Sequence, residues 1–176
     1  MKLFIMRHGD AAKPLVAYEE RPLTEKGKFE ASAAGIFLRM AGEIPDIAMH
    51  STQLRSKMTA RYVMIEAGAP SAAGILAKRD DLEDDSSPDE FLASVVSEFG
   101  KTDKTVLAVS HMPFVQHLAS LLIAGRPILI DDFGKGDLLA FNALGGGRAW
   151  TLRFYMPSKQ LKDFYRSYLD MGAAGI

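Results

Sequence analysis

No cysteine occurs among the 176 residues, which excludes disulfide bonds, a thiol nucleophile and any cysteine-ligated metal. Long apolar runs are missing too: nothing approaches the roughly 18–20 consecutive apolar residues of a membrane span. The N-terminal run Leu3 to Met6 falls short of the roughly 7–15 residues of a signal-peptide core. Charge of one sign is also scarce. Lys and Arg number 21 against 22 Asp and Glu, for a formal charge of −1. No basic stripe of the kind that nucleic acid or a membrane surface attracts stands out. A cytoplasmic, soluble protein with neither partner is the expectation. Histidine is sparse, four in all, so its positions are informative.

What is present is ordinary soluble usage, with 48% hydrophobic and 24% charged residues. A chain of this length buries roughly 70% of the surface its unfolded form exposes. One domain over residues 1–176 is therefore expected. Strand and helix signals alternate. Leu3–Met6 is a short unbroken apolar run, as in a strand covered on both faces. After a polar loop holding Pro14 and Pro22, Thr24 caps a helix with Glu25 in its first turn. Phe29, Ala33, Phe37 and Met40 recur at helical spacing, and Gly42 ends that helix. A strand is expected over Ile44–Met49 and a helix over Leu54–Ala67, closed by Gly68.

Ile75–Ala77 reads as a short strand before an acidic loop, Asp80–Asp89. Pro88 opens a helix through Phe91, Val95 and Phe99. Thr105–Val109 is another buried strand, and Pro113 opens a helix through Leu122. Leu138–Asn142 and Trp150–Tyr155, joined through Gly145-Gly146-Gly147, form an antiparallel hairpin. Residues 159–170 make a last helix, and the tail from Gly172 to Ile176 is expected to fray. The order implies an α/β fold in three layers, α/β/α, with a mainly parallel sheet and the hairpin at its edge. Ligands bind such sheets beyond the carboxyl ends of the strands.

Three of those ends carry related chemistry. Arg7-His8-Gly9 follows the first strand. His50-Ser51-Thr52 follows the second, with Arg55 at the start of the next helix. Ser110-His111-Met112-Pro113 follows Thr105–Val109. Cations gathered at one sheet edge repel one another unless an anion sits among them, and arginine's rigid fork matches phosphate. Helix starts nearby add to the field. Phosphoryl transfer asks for an in-line nucleophile and donors to the equatorial oxygens, and neutral imidazole can attack without a separate base.

Four segments thus occur in order: Arg7-His8-Gly9; Arg-Pro-Leu-Thr-Glu-Lys-Gly at 21–27; His50 to Arg55 with Thr59-Ala60; and Ser110 to Pro113. Together they resemble the histidine phosphatase superfamily, with its phosphoglycerate-mutase-like fold. The short length, the R-P-L-T-x-x-G segment and the hairpin before a terminal helix are similar to its SixA-type phosphohistidine phosphatase branch. The resemblance implies that His8 is the phosphorylated nucleophile, that His111 faces it across the phosphate, and that Arg7 and Arg55 clamp the phosphoryl group. The family's proton donor maps onto Leu82-Glu83-Asp84-Asp85, where a Leu-x-acid pattern selects Asp84, with Glu83 second. His50 and Thr52 stand where Ser and Pro are common, so His50 either contacts phosphate or sits at the rim.

Arg21 is placed at the rim of the site or in a turn salt bridge, Thr24 is a helix cap, and His117 is structural. No metal or cofactor is expected: the histidines form no i, i+4 pair and have no clear carboxylate partner. The resemblance implies a phosphorylated protein, carrying phosphohistidine, as substrate and partner. Two alternatives stay open. One is a phosphatase or mutase for small phosphorylated metabolites, and the other is a phosphate-binding module without turnover.

Overall fold

The computed structural model describes residues 1–13, 20–69, 76–126, 128 and 133–173. The apolar run at the N-terminus forms β1 (Lys2–Arg7), whose four inner residues are buried. Among the described residues, five further strands join it: β2 (Ile47–His50), β3 (Leu76–Lys78), β4 (Thr105–Ser110), β5 (Leu138–Leu144) and β6 (Ala149–Met156). Across the sheet the order is β3-β2-β4-β1-β5-β6. The first four of these run parallel, and β5 and β6 add an antiparallel hairpin at one edge. Register decides what meets at the carboxyl ends: Arg7 pairs with Ser110, and His50 with Val109.

Among the described residues, five α-helices cover the sheet: α1 (Glu25–Met40), α2 (Leu54–Ala67), α3 (Pro88–Phe99), α4 (Phe114–Ala124) and α5 (Ser158–Ala173). Side chains alternate across β1, so Leu3 and Ile5 join one core and Phe4 and Met6 the other. The first core takes Phe91 and Val95 from α3 and Phe114 and Leu118 from α4. The second takes Ala31 and Leu38 from α1, Ala60 and Val63 from α2 and Leu161 from α5. Each large apolar side chain so buried contributes about 1.5–3 kcal/mol. Phe91 and Phe114 meet edge to face at 5.7 Å, and replacing such a ring by Ala costs about 3–5 kcal/mol. The architecture is the expected α/β/α sandwich.

Boundaries differ in places for local reasons. β2 begins at Ile47 rather than Ile44, because Pro45 has no N–H for the ladder and Ile44 is 40% exposed. Asp46 then closes onto β4, its N–H donating to the Thr105 carbonyl and its carboxylate accepting from Thr105 N. The acidic stretch is not all loop, since Asp80–Leu82 forms a 3₁₀ turn that buries Leu82 completely. α5 runs past 170, through Gly172 to Ala173. Pro14, Ile75 and residues 174–176 of the tail lie outside the described residues. Among the described residues no helix is long and apolar enough to cross a membrane.

Candidate active site

The chain leaves β1 at Arg7 and is held there by neighbours. His8 N donates to the Ser110 carbonyl at 3.0 Å. Gly9 N donates to Thr59 Oγ1, and Thr59 in turn donates to the Arg55 carbonyl at 2.8 Å. Gly9 and Gly27 pack so closely that a Cβ on Gly27 would stand 2.0 Å from the Asp10 carbonyl oxygen. That contact explains why both Arg-His-Gly and R-P-L-T-x-x-G carry glycine: the loop after β1 rides on the first turn of α1. Thr24 caps that turn by accepting from Gly27 N, and also donates to Asp10 Oδ2. The cap is therefore part of the site's frame.

His8 Nδ1 lies 2.7 Å from the Gly9 carbonyl oxygen. A carbonyl only accepts, so Nδ1 carries the proton and Nε2 the lone pair. Arg55 Nε donates to that Nε2 at 3.2 Å. Burial lowers the His8 pKa from 6.5 to about 4; the Gly9 carbonyl opposes this, while Arg55, Arg7 and Lys135 reinforce it. The ring is neutral at pH 7. His111 faces it with ring centroids 5.1 Å apart. Its Nε2 is 2.5 Å from Ser51 Oγ and 3.3 Å from Ser56 Oγ. Burial, followed by His8, Arg55 and Arg7, lowers its pKa to about 2.

Arg7 acts on the same two histidines. Its Nη1 donates to the Phe133 carbonyl at 2.8 Å, and its backbone is bracketed by Gly136 N and the Asp137 carbonyl. Asp137 is itself fastened by Tyr155 Oη, Gly134 N and Ser158 N. Lys135, on this loop, pairs with Asp10 at 2.7 Å. Arg55 is 1% exposed, the largest fully buried side chain among the described residues. A guanidinium so placed needs anionic company.

The acidic stretch closes the third side. Ser110 Oγ donates to the Leu82 carbonyl, tying the 3₁₀ turn to the end of β4. Glu83 accepts from Thr52 N and from Gln53 Nε2, which also donates to Asp84 Oδ1 at 3.2 Å. Asp84 Oδ1 lies 3.9 Å from His111 Nε2. Burial raises the Asp84 pKa, with Arg55 and Gln53 opposing and Glu83 and Asp85 adding. The expectation that the histidines lack carboxylate partners is corrected here: Glu83, Asp84 and His111 each offer a ligand atom, all within 4.8 Å of one another. Spacing in sequence could not reveal this, because the three residues come from two separate loops.

The remaining predicted residues stand further out. His50 is buried with Nδ1 on the Ser51 carbonyl. Burial lowers its pKa, and the cations acting on it are Lys57 and Lys78 rather than the two arginines. Arg21 uses Nε and Nη2 on the Ala12 and Ala11 carbonyls, bracing the loop after β1. His117 is exposed on α4, beside Pro88, Asp89 and Leu121. Ser51, Gln53, Ser56 and Lys135 join the site beyond the residues that the sequence points to. Ser51 and Gln53 lie inside the His50 to Arg55 motif, whereas Ser56 and Lys135 carry no sequence signal.

No protein-family model matches the chain. Phosphohistidine phosphatase SixA of Escherichia coli (strain K12) is 30% identical over 147 residues, covering 77% of this chain and 89% of the relative. The solved structure of the protein histidine phosphatase SixA complexed with tungstate superposes with a TM-score of 0.80 at 24% identity, covering 92% of this chain and 99% of that one. The putative SixA from Nakamurella multipartitia gives a TM-score of 0.69 at 25% identity, over 89% and 95% of the two chains. With its sheet order, its paired histidines and this relationship, the chain belongs to the histidine phosphatase superfamily, in the SixA branch, and is a phosphatase.

Proposed function

We propose that this phosphatase removes phosphoryl groups from phosphohistidine on a protein, through an intermediate on His8 Nε2, and that residues 1–176 act as one catalytic domain. The observation that carries the reading is the His8 tautomer. Its proton is engaged by Gly9 O, so the lone pair faces Arg55 in a neutral ring. Nε2 attacks phosphorus, the P–N bond to the substrate imidazole breaks, and Arg7, Arg55 and His111 take the charge on the phosphoryl oxygens. Water then attacks phosphorus, the P–Nε2 bond breaks, His8 leaves as neutral imidazole and the water proton stays with phosphate. The arginines supply the positive charge, so no metal enters either step.

Short connections support a protein substrate. Only Ser51–Gln53 separate β2 from α2, and only His111–Pro113 separate β4 from α4, leaving little chain there for a lid over a small molecule. The relative's activity on phosphohistidine points the same way. Asp84, raised in pKa and near His111, is the proton donor when the leaving group needs one, with Glu83 second. His50 and Arg21 are rim residues in this reading.

Leaving-group chemistry tests it. Phosphohistidine departs as an imidazole already protonated on its other nitrogen, whereas an alkyl ester must expel an alkoxide and depends on the acid. Phosphate release should be fastest from a phosphohistidine protein, intermediate from aryl phosphates and slowest from sugar phosphates. Asp84→Asn should hurt the alkyl esters most. A sugar phosphate turned over best by the native enzyme, with a severe loss in Asp84→Asn, would replace this reading with a small-metabolite phosphatase.

A further inference from the structure

Ser51 has no exposed surface, so its hydroxyl proton must find an acceptor inside the protein. Gln53 N–H donates to Ser51 Oγ at 3.3 Å, which occupies a lone pair and leaves the O–H to point elsewhere. The atom in its path is His111 Nε2, 2.5 Å away. Ser56, equally buried on α2, brings a second hydroxyl to the same nitrogen at 3.3 Å. A nitrogen that accepts from a hydroxyl carries no proton, so in the neutral ring the proton sits on Nδ1. That Nδ1 is buried and has no hydrogen-bond partner among the described residues.

The opposite tautomer fails on both counts. It would leave the Ser51 proton without an acceptor among the described residues, and it would turn a bare lone pair, rather than a donor, to the phosphoryl oxygens. We propose that Ser51, assisted by Ser56, is a positioning residue that holds His111 as its Nδ1–H tautomer, making a neutral histidine an N–H donor reserved for a phosphoryl oxygen. An arriving phosphoryl oxygen gives this donor its acceptor. This rests on the reading of His111 as a phosphoryl ligand. It goes further in naming the proton that does the work and the hydroxyl that sets it. Such a donor costs the protein an unpaired buried group at rest and returns that cost on binding, so differential binding favours the phosphorylated state.

The test is Ser51→Ala, with Ser56→Ala as a milder companion that removes the longer contact. In ¹⁵N–¹H spectra, native His111 should show its proton on Nδ1, and Ser51→Ala should shift the ring toward Nε2–H or a mixture. Vanadate affinity and kcat/KM should each fall on the order of 10- to 100-fold in Ser51→Ala, and less in Ser56→Ala. In a His111→Ala background, Ser51→Ala should add almost nothing, since it acts through that ring. An unchanged tautomer with vanadate affinity within threefold of native would overturn the proposal, as would full additivity with His111→Ala. Tautomer and vanadate binding do not depend on the choice of substrate. A native enzyme inert toward phosphohistidine would therefore defeat the proposed function and leave this result standing.

Discussion

Arg55 illustrates how a single side chain joins the packing to the chemistry. It is 1% exposed, yet it sits in the first turn of α2, where the helix dipole disfavours a cation. Its carbonyl accepts from Thr59, its Nε reaches His8 Nε2, and its charge acts on Asp84 as well as on both histidines. A planar fork can hold a phosphoryl oxygen and still address the nucleophile, which an ammonium cannot do from one point. Arg55→Lys is expected to cost on the order of 100-fold in kcat/KM, with the fold intact by circular dichroism. A steady-state loss below fivefold would show that positive charge alone suffices there.

At the scale of the element, α1 matters through its first turn. Thr24 Oγ1 accepts from Gly27 N and donates to Asp10 Oδ2, and Asp10 N donates to Glu30 further along the helix. A plain cap would make Thr24→Ala a stability change of about 1 kcal/mol and nothing more. Because the same hydroxyl steadies the loop that carries His8, Thr24→Ala is expected to lower kcat/KM several-fold as well. Thr24→Ser should keep both properties, since it retains the oxygen. Equilibrium urea unfolding beside steady-state kinetics separates the two effects. Thr24→Ala with full activity and a lower midpoint would confine the residue to capping. The cap itself was visible in the sequence, but its second bond was not, because it depends on how the loop from β1 folds back over α1.

For the whole molecule, the buried histidines shape the response to mild acid, above the range in which the lowered carboxyls Asp10, Glu43 and Asp46 titrate. His8 and His111 titrate near 6.5 when unfolded, but at about 4 and about 2 when folded, chiefly through burial. Depressed histidines mean that below pH 6.5 the unfolded chain binds protons that the native state refuses. Their contribution to stability is therefore complete above about 6.5 and declines as pH falls. The His8 share ends near 4 and the His111 share lower still. Within the window the pair costs on the order of 1 kcal/mol or more per pH unit. His50 acts in the same direction, whereas Asp84, raised in pKa, opposes it. Unfolding free energies at pH 7.5, 6 and 5 should decline below 6.5, and His8→Asn should flatten part of the slope. Equal stabilities at pH 7.5 and 5 would contradict the buried, neutral histidines.

Signals that act over a few residues could be read directly from the chain. Apolar runs marked the strands, Thr24 and Pro88 marked helix starts, and Leu54–Ala67 was bounded by its own Gly68 in the left-handed conformation. The ordered motifs named the strand ends that meet and the family to which the chain belongs. What the tertiary structure decided was distance. His8 and His111 come within 5.1 Å because Arg7 and Ser110 pair in register across β1 and β4. Glu83 and Asp84 reach the site because Ser110 holds the Leu82 carbonyl. Ser51 matters because it is buried with its hydroxyl 2.5 Å from His111 Nε2, the acceptor it finds among the described residues. Each of these contacts joins residues about 30 to 100 positions apart. No local propensity specifies such a pairing; it follows from which faces of the sheet the helices cover and where the loops must then close.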